Sequence, residues 1–84
     1  MSEELVGTVT HYFARPQVGI VKLSAAIKLG DTLHVRGHTA DFQQEVASME
    51  IEHSHVEAAA SGAELGIKVQ ERVREGDQVY RVIP

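Results

Sequence analysis

Apolar side chains in this chain recur at every second position, in short runs rich in β-branched residues. Valine occurs 11 times and isoleucine 5 times. Branched side chains are stiff at χ1 and suit the pleated, half-buried surface of a strand. A period of two turns one side of each run inward. The runs cover residues 5–13, 18–23, 32–36, 44–53, 64–69 and 78–83. Arg15-Pro16-Gln17 separates the first two, because proline donates no hydrogen bond and restricts its predecessor.

Turn chemistry punctuates the rest. Leu29-Gly30-Asp31-Thr32-Leu33 and Glu75-Gly76-Asp77-Gln78-Val79 echo each other, as if two strands were entered through the same turn. Within 44–53 the phase slips: Val46 lies an odd number of positions from both Met49 and Ile51. All three can face inward only if the chain bulges near Ala47-Ser48. Ser54-His55-Val56-Glu57 fits a capping box, Ala58-Ala59-Ala60 continues with good helix formers, and Gly62 offers a stop. One short helical turn at most is expected there. The expected fold is all-β: a small closed six-stranded antiparallel barrel, whose closure removes exposed sheet edges.

The chain has 84 residues, below the roughly 100–150 typical of one domain. A single domain, 1–84, is expected, with residues 1–4 a flexible N-terminus. The chain holds 43% hydrophobic and 24% charged residues, the balance of an ordinary globular domain rather than an acidic disordered tail. No apolar run approaches the roughly 20 residues of a membrane span, so no membrane partner is expected. Cysteine is absent, which excludes disulfides, zinc–thiolate sites and a thiol nucleophile. The acidic start, Met-Ser-Glu-Glu, has no apolar stretch of a leader, and a cytoplasmic location is the default.

Eight Lys+Arg against twelve Asp+Glu give a net charge of −4, which argues against tight non-specific nucleic-acid binding. A local patch built from Arg36, Lys68, Arg72 and Arg74 is the candidate RNA surface. Tyr12 with Arg15, and Tyr80 with Arg81, are the pairs that could stack bases. The alternative is that Phe13 and Phe42 fill the barrel and the tyrosines plug its ends. His53 and His55 would share a strand face near Glu50 or Glu57, and are the candidate metal ligands. Against that stands a solvated strand end, and no metal or other cofactor is the default. His34 and His38 straddle a glycine turn and form a second, weaker pair. His11 reads as a packed or surface strand residue.

No catalytic constellation is visible. Ser24, Ser48, Ser54 and Ser61 lack a nucleophile-elbow context, and Asp31 and Asp77 read as turn residues. Asp41, beside Phe42, is the one carboxylate without an obvious local role. No enzymatic activity is expected.

The order of motifs resembles a known family. Val6-Gly7-Thr8-Val9 is followed by Leu29-Gly30-Asp31-Thr32-Leu33-His34-Val35-Arg36-Gly37 and by Val46-Ala47-Ser48-Met49-Glu50-Ile51. Ala60-Ser61-Gly62-Ala63-Glu64-Leu65-Gly66-Ile67-Lys68-Val69 and Arg74-Glu75-Gly76-Asp77-Gln78-Val79 complete the series. Together they resemble the second, β-barrel domain of translational GTPases such as elongation factor Tu. The chain is also similar to the small barrel that closes some collagenase-like peptidases. The resemblance implies a barrel that accompanies a catalytic domain, and this chain has no phosphate-binding G-x-x-x-x-G-K-[ST] loop of its own. The resulting expectation is a non-catalytic binding or adaptor module. Its partner would be a protein or the translation machinery, with direct RNA (tRNA or rRNA) binding or a histidine metal site as the rivals. The oligomeric state is left open.

Overall fold

The computed structural model describes residues 2–84, and among these it contains no helix. Ten strands follow one another: β1 Ser2–Phe13, β2 Val18–Leu23, β3 Ile27–Lys28, β4 Thr32–Arg36 and β5 Asp41–Glu45. Then come β6 Met49–Ile51, β7 Ser54–Val56, β8 Ala58–Ala59, β9 Glu64–Lys68 and β10 Gln78–Ile83. Eight of them form one antiparallel sheet in the order β5-β4-β10-β1-β2-β9-β6-β7, and β3 pairs with β8 in a short ribbon.

The alternating pattern does what its period requires. Leu33 and Val35 of β4, Leu65 and Ile67 of β9, and Val79 of β10 are all buried. Residues from β4, β5 and β9, at opposite reaches of the sheet, line one shared interior with a void of only about 10 Å³. The sheet is therefore coiled around a filled core, as small barrels are.

The backbone ladder does not close into the expected six-stranded barrel. It has eight strands, with β5 and β7 at its two ends. Where a strand ladder would close it, a side chain stands instead. Gln44 of β5 is buried, and its Nε2 donates to the Lys68 carbonyl at 2.8 Å. Its Oε1 accepts from the Gln70 N–H, also at 2.8 Å. One carboxamide thus offers a donor and an acceptor side by side, as a peptide unit would.

The two extra strands of the ladder come from residues 41–56, which form β5, β6 and β7. The run read as one strand is interrupted at 46–48, where Val46 bonds instead with the 30–31 turn. Val46 and Met49 are both buried, as expected, but this unpaired stretch resets the phase rather than a bulge. The helical turn is absent too. Glu52 and His53 adopt positive φ, +50° and +65°, and fold β7 back onto β6. A capping box is a local preference, and a short helix repays its nucleation poorly beside a ready sheet edge.

Bulges do occur, in β1. Leu5 pairs with Tyr80 and Gly7 with Val79, so Val6 is the extra residue. Val9 pairs with Val21 and His11 with Ile20, so Thr10 is the second. The first bulge puts Val6 and Gly7, neighbours in sequence, both inside. A Cβ on Gly7 would lie 2.6 Å from Val21 Cγ1 and 2.8 Å from the Lys22 carbonyl oxygen. Gly7→Ala is therefore expected to destabilise the fold by about 1–3 kcal/mol, the usual cost of overpacking. Urea unfolding followed by circular dichroism checks this.

The repeated Gly-Asp turns form as their echo implied. Asp31 Oδ2 accepts from the Lys28 N–H and Asp77 Oδ2 from the Arg74 N–H, each at 2.9 Å. Gly30 and Gly76 both sit at φ +91°, where a side chain is strained. Residues 2–4, expected to be flexible, pair with β10. Of the phenylalanines only Phe42 is interior, since Phe13 is 47% exposed.

Candidate functional site

The most polar constellation lies on the outer face of β4. The inward side of that strand is Leu33 and Val35, so His34 between them must face outward. Its Nδ1 meets Glu3 Oε2 of β1 at 2.7 Å, and its Nε2 meets Asp41 Oδ1 of β5 at 2.5 Å. A neutral imidazole carries one N–H, so two ionised carboxylates on its two nitrogens call for the imidazolium. The hydrogen bond to Asp41, then that to Glu3, raises the His34 pKa above the ordinary 6.5. The same bond from His34, with Arg36 assisting, lowers the Asp41 carboxyl. Asp41, which had no evident local role in the sequence, is thus one jaw of a clip joining β1, β4 and β5.

The sign of the pH dependence follows. A raised folded-state pKa contributes stability that is complete below the unfolded value. That contribution is lost as pH rises from about 6.5 through the higher folded value. The His34 ring is expected to titrate above the free-imidazole range by NMR. His34→Gln should flatten the fall in unfolding midpoint as pH rises above about 6.5. An ordinary His34 titration would contradict the clip.

The clip leaves His34 no nitrogen for a nucleophile. His38 is exposed in the loop after β4, and no bond joins it to His34. His11 is exposed and stacks on Phe13, ring centroids 4.4 Å apart. His53 sits in the β6–β7 turn, while His55 lies opposite Glu50 with Nε2 3.4 Å from its carboxylate. Among the described residues no group of three or more His, Asp or Glu side chains is arranged to hold a metal.

The four basic residues lie on segments that adjoin. Arg36 ends β4 and lies over the Tyr80 ring, 5.9 Å from its centroid. The cation over the Tyr80 ring is thus Arg36, where the sequence offered Arg81 as a candidate. Arg74 Nε donates to Thr39 Oγ1 at 3.2 Å, across from the loop that follows Arg36. Lys68 ends β9, and Arg72 is exposed in the segment between Gln70 and Arg74. Among the described residues none of the four side-chain cations has a carboxylate oxygen within 4.0 Å. Arg81 is committed elsewhere, its Nη2 lying 2.5 Å from Glu4 Oε1. Among the described residues no helix is long and apolar enough to cross a membrane.

No protein-family model matches the chain. An uncharacterised protease of Methanocaldococcus jannaschii is 38% identical over 76 residues, which cover 89% of this chain. The matched part is 19% of that protease, so the chain spans about a fifth of its length. Among solved structures, the chain is similar to the C-terminal domain of a Geobacillus thermoleovorans protein named as a U32 peptidase. The TM-score is 0.88 at 18% identity, covering 95% of this chain and 93% of that domain. The selenomethionine form of the same domain gives a TM-score of 0.86 at 19% identity, covering 90% and 96%. These matches agree with the peptidase side of the resemblance and lend the translation-factor side no support. The chain has the fold of a peptidase C-terminal domain, over nearly the whole of that domain.

Proposed function

We propose that this chain is a non-catalytic binding module, the small β-rich unit that accompanies a peptidase catalytic unit and docks against protein. One observation carries the reading. The chain accounts for nearly all of a peptidase's C-terminal domain but only about a fifth of a protease. The chemistry of the outer face supports it, because the best-placed histidine is held by two carboxylates and has no base function left.

The test uses the full chain and the Methanocaldococcus protease with its matching segment deleted. The chain alone is expected to leave gelatin and casein uncut. Mixed with the truncated protease, it is expected to co-elute on gel filtration and to raise hydrolysis. Hydrolysis by the chain alone would make it an enzyme. Failure to form the complex would remove the accessory role.

RNA binding is the second reading, favoured by the adjoining segments that carry Arg36, Lys68, Arg72 and Arg74. On a single strand each phosphate contact contributes about 0.7 to the slope of log K against log salt. Four such residues therefore imply a slope of about −3 with a short single strand, by fluorescence anisotropy. No binding at low salt would remove this reading.

A further inference from the structure

We propose that the cleft beside Arg81 binds a carboxylate, presented as the end of an extended peptide. The cleft is an open groove of about 460 Å³ over the outward face of the paired β3–β8 ribbon. That is within the range of about 300–1,000 Å³ usual for ligand sites. Ala26, Lys28, Ala58 and Ala60 are exposed on that face and form its floor, and Asp31 and Arg81 also line it. An alanine floor is apolar and low, so it leaves room above it for another chain's small side chains.

Arg81 supplies the recognition. Its Nη2 is taken by Glu4, but Nε and Nη1 have no protein acceptor among the described residues. No side-chain nitrogen or oxygen of the described residues is buried without a partner, so these donors face solvent. A guanidinium has five N–H donors in a planar fork and can hold two carboxylates on different edges. Lys28 stands at the same cleft, its ammonium 3.0 Å from Asp31 and its side chain 69% exposed. Burial alone would push the Asp31 carboxyl up. The bonds from Lys28 and the charges of Lys28 and Arg81 outweigh it and hold the group ionised at neutral pH.

The charge count selects the ligand. Arg81 and Lys28 are balanced by Glu4 and Asp31. A phosphate dianion would face both carboxylates with two negative charges, whereas a flat carboxylate brings one and matches the guanidinium edge. The binding-module reading enters only in naming a peptide as the carrier. The test contains no peptidase, so its failure leaves that reading standing.

The full chain, ¹⁵N-labelled, is titrated with N-acetyl-dialanine, with the same dipeptide as its C-terminal amide, and with inorganic phosphate. The free acid is expected to shift the amides of Ala26, Lys28 and Ala58 to Ala60, with a Kd of about 1 mM. The amide and phosphate are expected to bind at least about tenfold more weakly, the factor expected from one charge-assisted hydrogen bond. Arg81→Gln should abolish the shifts. Ala58→Phe, which fills the cleft and keeps every charge, should do the same with the spectrum otherwise preserved. Equal binding of acid and amide, equal binding of phosphate, or binding unchanged in Ala58→Phe would each overturn the proposal.

Discussion

Leu65→Ala is expected to cost about 2–5 kcal/mol, the range for deleting a fully buried leucine side chain. Leu65 is 0% exposed and sits in β9, between β2 and β6, opposite Val21. A chain of 84 residues has a total stability of about 4–13 kcal/mol, so this one substitution removes much of it. The cost is high because the core is small and already filled, leaving neighbours little room to collapse into the cavity. Thermal unfolding should show a midpoint lower by at least about 10 °C. Leu5→Ala is the control. Leu5 is 43% exposed, and its truncation should change stability by no more than about 0.5 kcal/mol. Equal effects at the two positions would mean that the inward and outward sides of the strands have been misassigned.

Gln44→Leu is expected to be nearly as damaging although it preserves the side chain's size. The substitution removes both halves of the carboxamide bridge, leaving the Lys68 carbonyl and the Gln70 N–H without their partner. An unsatisfied buried backbone group costs about 1–3 kcal/mol, and here there are two. The opposing effect is a gain in apolar burial of about 1 kcal/mol. The net is a loss of about 1–5 kcal/mol, read from the urea midpoint. Gln43→Leu, on the exposed side of the same strand, should be nearly silent. An unchanged midpoint in Gln44→Leu would show that the bridge contributes nothing to stability.

What the sequence made legible was whatever its own neighbours decide. Period-two alternation placed β2, β4, β9 and β10, because none of these strands itself carries an extra residue. The two Gly-Asp turns were legible because the aspartate bonds a backbone N–H only three residues away. What stayed hidden depended on distant partners. Ser54 to Ala60 carried good helix signals, and only the edges offered by β6 and β3 made it strand. The bulges at Val6 and Thr10 are set by the register of β10 and β2, which β1 alone does not encode. Gln44 looked like a polar strand residue, and its role appears only once Lys68 and Gln70 lie beside it. The clip was half visible: His34 and Asp41 were each noticed, but Glu3, 31 positions earlier than His34, joins them only through the fold. The cleft at Arg81 was missed because alanines at 58–60 were read as helix formers.

The Gln44 bridge also gives the molecule a seam. Around most of its girth the coiled sheet is stitched by repeated main-chain bonds, but between β5 and the start of the 70–77 segment one carboxamide makes the fastening. Parting there needs no strand to leave its neighbour on the other side. Deuterium is therefore expected to enter the Gln70 amide before the central amides of β1 and β2, through breathing that leaves the rest of the sheet intact. A shell that can gape along one line and reseal could admit a partner's strand without unfolding.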